Sequence, residues 1–323
     1  MPSWASAFRV RTRRHEGVSL APTRRQWTLG LALGLALGGC AKRPVVTQPD
    51  PSAYAHLIRG VDLKVDGLDR HAFVHVPTQL DAGKRYPVVV VFHGGTGGGT
   101  GALMGKHFLE ELDQETIFLF PDGQQSRRDQ PAWESRDVQQ NHDVDFVHGL
   151  LDALEARYPV DSERIYIAGF SNGGFMTQQL ACKTPERFAG MAVVAQTLHT
   201  HLRDLCAPAQ PLPMLYIIGT RDRFWEARDF SLSATDTLDF WLDATGCDSS
   251  SAHTATLPDD PSDDTSVTRT TYDQCAHVSA VELLRVDNGG HSWPGGHRVD
   301  RGHCRDIEAT DEVLSFFRRR AGL

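Results

Sequence analysis

Apolar residues in this chain come in short runs separated by longer mixed segments. Val88-Val89-Val90-Val91-Phe92 and Met214-Leu215-Tyr216-Ile217-Ile218 show no polar alternation. Such runs fit strands buried on both faces of a mostly parallel sheet. The β-rich runs are Leu57 to Leu63, His71 to Val76, Pro87 to Phe92, Thr116 to Phe120, Arg164 to Ala168, Met191 to Ala195, Pro213 to Ile218 and Ala280 to Val286. The first two read as an opening antiparallel pair. Helix candidates lie between the later runs, over 143–157, 174–183, 233–244 and 309–319, with Asp143 as the N-cap of the first. Eight strands with intervening helices predict an α/β domain: a doubly wound, mostly parallel eight-stranded sheet with helices on both faces. Residues 248–273 are rich in Ser, Thr and Asp and are bracketed by Cys247 and Cys275. They read as a surface excursion stapled at its base.

The N-terminal segment has a different pattern. Arg24-Arg25 precedes an apolar run, Trp27 to Leu37, that ends in Leu37-Gly38-Gly39-Cys40. A basic region, a short apolar region and small residues before a cut describe a secretory signal. The run falls short of the ~20 apolar residues of a membrane span. Residues 1–39 therefore read as a lipoprotein-type signal peptide, 40–54 as the lipidated Cys40 and a polar tether, and 55–323 as one catalytic domain. The stretch Thr23 to Leu29 resembles a twin-arginine export signal, with an ordinary Sec signal as the alternative. Ala41, rather than aspartate, after Cys40 points to the outer membrane. The expected location is thus exported, in the periplasm or on the outer membrane or cell surface, held by the lipid at Cys40.

The formal net charge of −8 falls to −13 once the six arginines and one glutamate of residues 1–39 are removed. An acidic body argues against nucleic acid as a partner. Of six cysteines, five follow Cys40. Export makes disulfides the expectation: Cys182 with Cys206 and Cys247 with Cys275, leaving Cys304 over, although spacing alone does not fix the pairing.

In a sheet of this kind, functional residues gather beyond the carboxyl ends of strands. Beyond Arg164–Ala168 comes Gly169-Phe170-Ser171-Asn172-Gly173, followed by a helix-like run. Strand, tight glycine turn and helix lift a serine hydroxyl off the sheet end as a nucleophile elbow. The bland alternative for Ser171 is a helix N-cap. Beyond Pro213–Ile218 comes Gly219-Thr220-Arg221-Asp222, where Asp222 can orient an imidazole; its alternatives are a turn former or a partner of Arg221 or Arg223. Beyond Ala280–Val286 comes Asp287-Asn288-Gly289-Gly290-His291, with His291 the candidate general base. The chain has fifteen histidines, so the order Ser171, Asp222, His291 is what selects this one. Asp287 is the fallback acid. Beyond Pro87–Phe92 comes His93-Gly94-Gly95-Thr96. The backbone N–H groups of Gly95 (or its neighbour Thr96) and of Asn172 are the candidate oxyanion donors. Trp133, Phe224, Trp225 and Trp293 are candidates for a substrate pocket, with plain core the alternative for the tryptophans.

Other chemistries fit less well. Gly105-Lys106 lacks the spacing and the Ser/Thr of a P-loop. Gly97 to Ala102 matches a dinucleotide pattern only loosely. His291, His297, His303 and Cys304 lack a helical i, i+4 pair, so no metal site is expected. No cofactor is called for.

With those residues established, the chain resembles the polyhydroxybutyrate depolymerase / feruloyl esterase family of secreted carbohydrate-esterase-like α/β hydrolases, over residues 57–317. The resemblance rests on His93-Gly94-Gly95, Pro121-Asp122-Gly123, Gly169 to Met176, Gly219-Thr220-x-Asp222, Gly290-His291-x-Trp293-Pro294-Gly295-Gly296 and Asp306-Ile307-x-Ala309-Thr310. It implies an α/β-hydrolase fold and an acyl-enzyme mechanism with Ser171, His291 and Asp222 as the triad. It also implies a bond between Cys247 and Cys275. The expected substrates are hydroxyalkanoate polyesters or oligomers, or hydroxycinnamoyl or acetyl esters of polysaccharides. Two departures are a longer glycine run after His93 and an Asp122–Trp133 segment rich in Arg and Gln. A peptidase of the same fold, an inactive surface lipoprotein and a dinucleotide oxidoreductase are the competing readings.

Overall fold

The computed structural model describes residues 58–95, 101–108, 111–112, 114–127, 130–135, 137, 139–206, 211–278, 280–295 and 302–323. The expected signal peptide, Cys40, tether, Thr96 and His297 lie outside the described residues. The strands are β1 (Arg59–Val65), β2 (Leu68–His75), β3 (Tyr86–Phe92), β4 (Ile117–Pro121), β5 (Gln125–Arg127), β6 (Gln130–Ala132), β7 (Val160–Phe170), β8 (Gly190–Val194), β9 (Met214–Gly219), β10 (His253–Thr256), β11 (Ser266–Tyr272) and β12 (Val281–Asp287). The helices are α1 (Gly101–His107), α2 (His142–Glu155), α3 (Asn172–Lys183), α4 (Thr200–Arg203), α5 (Ala234–Thr245) and α6 (Ala309–Phe316).

One ten-stranded sheet runs in the order β1-β2-β4-β3-β7-β8-β9-β12-β11-β10. Six central strands, β4 to β12 in that order, pair in parallel. Antiparallel strands extend both edges. All eight expected strands are present. The α/β class holds, and two further strands lie in the segment read as a surface excursion. That expectation is corrected: residues 248–273 hold β10 and β11, which continue the sheet. Their Thr-rich sequences suit a half-exposed edge, where β-branched residues pack on the pleat.

The apolar runs are buried on both faces, as continuous hydrophobicity requires. In β3, Val88 and Val90 enter one core with α2, α3 and α5, through Phe146, Leu150, Phe175 and Trp241. Val89 and Val91 enter the other core, with Phe108, Val313 and Phe316 from the α1 and α6 side. Adjacent residues thus serve opposite layers, the two-residue period of a strand. No helix among the described residues is long and apolar enough to cross a membrane.

Helix ends follow capping chemistry. Ser233 caps α5 by accepting from the Asp236 N–H, and Gly246, at φ 67°, closes its other end. The N-cap of α2 is Asn141, whose side chain accepts from the Asp143 N–H. This corrects the assignment of Asp143. The reason is that the Asp143 carboxylate is engaged elsewhere: it is buried against Arg70 at 2.5 Å and accepts from the Glu134 N–H at 2.7 Å. Both expected disulfides form, Cys182–Cys206 and Cys247–Cys275, leaving Cys304 buried as a free thiol. Burial pushes the Cys304 thiol up to about 11.

Candidate active site

Ser171 stands between β7 and α3, at φ 53° and ψ −117°. A non-glycine residue in that region carries backbone strain. It occupies the N-cap position, yet its side chain makes no capping bond. The turn is closed by near-contacts that exclude side chains. A Cβ on Gly169 would lie 2.2 Å from the Gly173 carbonyl oxygen, and one on Gly173 would lie 2.2 Å from the Phe92 oxygen. Glycines at both positions are therefore a steric condition of the elbow.

The freed hydroxyl meets His291: Oγ lies 2.9 Å from Nε2. On the other side of the imidazole, Nδ1 lies 3.0 and 2.8 Å from the two Asp222 oxygens. The Asp222 side chain is completely buried, whereas that of His291 is 23% exposed. A buried carboxylate on Nδ1 fixes the tautomer with a proton there and leaves the Nε2 lone pair facing the serine. Asp222 also accepts from the Phe224 N–H at 2.9 Å. Two parallel strands bring acid and base together, and their loops are bonded to each other. The Arg221 N–H donates to the Gly289 carbonyl, the Thr220 N–H to the Val286 carbonyl, and the Asn288 N–H to Thr220 Oγ1. Asp287 faces Arg285 at 3.0 Å instead of His291. Of the two arginines weighed as partners of Asp222, Arg221 pairs with Asp264 and Arg223 turns to His291 Nε2, at 3.2 Å.

Gly95 and Asn172 face the serine across the same cleft. A Cβ on Gly95 would lie 2.8 Å from the Asn172 Cβ, so the Gly95 backbone lies against the Asn172 side chain at a distance that only glycine allows. Asn172 opens α3, where the first N–H groups have no intrahelical acceptor and carry the positive end of the helix dipole. The arrangement can accept charge developing on a carbonyl oxygen above Ser171.

The cleft encloses about 580 Å³. Its walls include Phe224, Phe230, Gln196, His199 and two arginines, Arg223 and Arg228. Of the aromatic residues expected in a substrate pocket, Phe224 lines the cleft. Trp133 and Trp293 are buried in the two cores, with their indole N–H groups donating to the His93 carbonyl at 2.9 Å and to Thr310 Oγ1 at 3.2 Å. Trp225 packs against the larger core. The pocket assignment is corrected for these three: Trp133 and Trp293 are large rings whose N–H finds an internal acceptor and holds them in the interior, and Trp225 is taken up by packing on the core. His303 Nε2 donates to the Gly295 carbonyl, and Cys304 contacts Asp306, so these residues do not join His291 around a common centre.

Gln196, His199, Arg223 and Arg228 are cleft residues that sequence reasoning left out. A signal existed for the first two. Gln196 and His199 follow the carboxyl end of β8, where function is expected in such sheets.

The family model Esterase, described as "Putative esterase", matches residues 66–295. Among related chains, "Putative esterase NocK" of Nocardia uniformis subsp. tsuyamanensis is 31% identical over 193 residues, covering 54% of this chain and 54% of its own. Feruloyl esterase B of Piromyces equi is 30% identical over 157 residues, covering 47% of this chain and 29% of its own. The chain thus spans about half, or less, of the length of these relatives. Among solved structures, an acetyl xylan esterase from Aspergillus awamori superposes with a TM-score of 0.54 at 17% identity, covering 76% of this chain and 93% of that one. That likeness establishes the α/β-hydrolase fold. Relatives named feruloyl esterase and poly(3-hydroxyalkanoate) depolymerase both match, in agreement with the resemblance drawn from the motifs.

Proposed function

The chain belongs to the Esterase family, and on that premise we propose that it is an exported serine ester hydrolase working through an acyl-enzyme. The observation that carries this reading is the continuous chain of contacts from Ser171 Oγ through His291 to the buried Asp222.

His291 Nε2 takes the serine proton as Oγ adds to the ester carbonyl. Asp222 holds the resulting imidazolium. The Gly95 and Asn172 N–H groups hold the oxyanion. When the tetrahedral intermediate collapses, the C–O bond to the alcohol breaks and His291 returns the proton to the leaving oxygen. Water, deprotonated by His291, then attacks the acyl-enzyme, releasing the acid and restoring Ser171. Every step uses side chains and backbone of this chain, so no cofactor is required.

The substrate classes that the relatives' names suggest are hydroxyalkanoate oligomers or polyesters and hydroxycinnamoyl or acetyl esters of polysaccharides. Two disulfides support export, since such bonds persist in oxidising compartments. Attachment through a lipid on Cys40 extends that reading, and metabolic labelling with a radioactive fatty acid, lost in Cys40→Ser, tests it. The activity itself is tested with p-nitrophenyl acetate, p-nitrophenyl butyrate, methyl ferulate and a hydroxybutyrate oligomer, with a p-nitroanilide as the peptidase control. Turnover of esters with none of the anilide is expected. Anilide turnover matching that of the esters would favour the peptidase reading.

A further inference from the structure

The cleft beside Ser171 is basic although the chain is acidic. Arg223, Arg228, His199 and His201 line it, and among the described residues no lining residue carries a carboxylate. Both arginines are exposed, and among the described residues neither has a carboxylate partner. Glu226 and Asp229 lie on the same loop and are exposed, but they are not part of the cleft wall. Both guanidiniums sit by the Phe224 ring. Arg228 Nε donates to the Arg223 carbonyl at 2.5 Å, and the two Cζ atoms lie 4.9 and 5.8 Å from the Phe224 ring centre. Two unneutralised cations on one wall repel each other and suit an anion. The planar fork of arginine matches a carboxylate in particular.

A second feature has the same direction. Gln196 is 3% exposed and lines the cleft, and its Oε1 meets no donor among the described residues. It is a buried acceptor waiting for a hydroxyl or N–H. Arg223 also donates towards His291 Nε2 at 3.2 Å, the nitrogen that Ser171 Oγ approaches at 2.9 Å. A neutral imidazole has one lone pair there, so two donors compete for it. An anion that draws Arg223 aside leaves that lone pair to the serine.

We propose that the substrate carries a free carboxylate close to its scissile ester, held by Arg223 and Arg228 while the ester carbonyl lies over Ser171. The proposal rests on the ester-hydrolase reading and narrows it to esters in which one half is an acid, such as a short hydroxy-acid oligomer with a free acid end.

The test compares carboxylate substrates with their neutral carboxamide counterparts. One pair, 3-butyryloxybutyrate and 3-butyryloxybutyramide, puts the charge on the alcohol half. The other, mono-p-nitrophenyl glutarate and its carboxamide, puts it on the acyl half. In at least one pair the acid should be favoured about 10- to 100-fold in kcat/KM, the scale of one or two charge-assisted hydrogen bonds. The preference should shrink between about 50 and 500 mM salt and vanish in Arg228→Gln and Arg223→Gln, with melting temperatures matching the wild type. Equal turnover of acid and amide in both pairs would overturn the proposal, as would a preference that survives in both variants. Amide turnover without preference leaves the ester-hydrolase reading standing, whereas no turnover of any of the four compounds counts against both.

Discussion

The carboxamide of Asn172 is clamped by the backbone of Trp133. Its Oδ1 accepts from the Trp133 N–H at 2.7 Å, and its Nδ2 donates to the Trp133 carbonyl at 3.1 Å. Trp133 is in turn fixed by its indole, which donates to the His93 carbonyl. The residue after the nucleophile is therefore tied to the glycine loop that bears Gly95, through a tryptophan that never touches the cleft.

Asn172→Ala keeps the backbone N–H but removes this clamp. Because small misplacements of a positioned group cost up to ~10² in rate, kcat should fall by about 10- to 100-fold with KM little changed. Steady-state kinetics on p-nitrophenyl butyrate reads the split. A rise in KM at constant kcat would mean that the side chain binds substrate instead of positioning the donor.

Acidification should destabilise the fold well above the carboxylate range. Burial pushes the His93 ring below its ordinary 6.5. The Gly123 N–H donates to its Nε2 at 2.9 Å, so the ring is neutral and its Nδ1 donates to the Gly94 carbonyl at 2.8 Å. His148 is lowered too, by burial and then by Arg187. Both histidines take up protons near pH 6.5 when unfolded but resist doing so when folded. The unfolded state then binds more protons, and stability is lost as pH falls below about 6.5, by up to ~1.4 kcal/mol per pH unit for each ring. Urea unfolding at pH 7, 6 and 5 should give a falling free energy. A flat or rising profile over that window would contradict the assignment.

The Cys247–Cys275 bond joins residues 28 apart and closes the base of β10 and β11. Its removal by a double Cys247→Ser, Cys275→Ser substitution should cost about 3 kcal/mol, mainly through the freer unfolded chain. The loss is measurable as a shift of the urea midpoint. Because β10 and β11 lie at the far edge of the sheet from β7, ester turnover at moderate temperature should persist. Loss of turnover in a protein that remains folded would show that this edge supports the site.

Ser171, Asp222 and His291 were legible because each follows an apolar run that can only be a buried strand, and their order along the chain selects one histidine among many. The elbow glycines were legible for the same reason, since the turn has no room for side chains. Residues 253–256 and 266–272 were missed because an edge strand carries polar residues on its exposed face, and all four residues of β10 are exposed. The tryptophans were misassigned because ring size favours pocket and core alike. The indole N–H partner that decides between them, the His93 carbonyl 40 residues before Trp133, is a tertiary fact. The arginine wall was out of reach for a related reason. Arg223 adjoins Asp222 in sequence, yet the buried acid meets Nδ1 of the imidazole and the exposed arginine meets Nε2, and no local pattern encodes that split.

The most direct test of the account is pre-steady-state hydrolysis of p-nitrophenyl butyrate by the intact protein beside Ser171→Ala. The wild type should release a burst of about one p-nitrophenol per enzyme molecule as the acyl-enzyme forms. The variant should show no burst and a turnover lower by about 10⁶-fold, the scale seen when the nucleophile of such a triad is removed. Turnover by Ser171→Ala at the wild-type rate would contradict the assignment of Ser171 as nucleophile, and with it the mechanism built on His291 and Asp222.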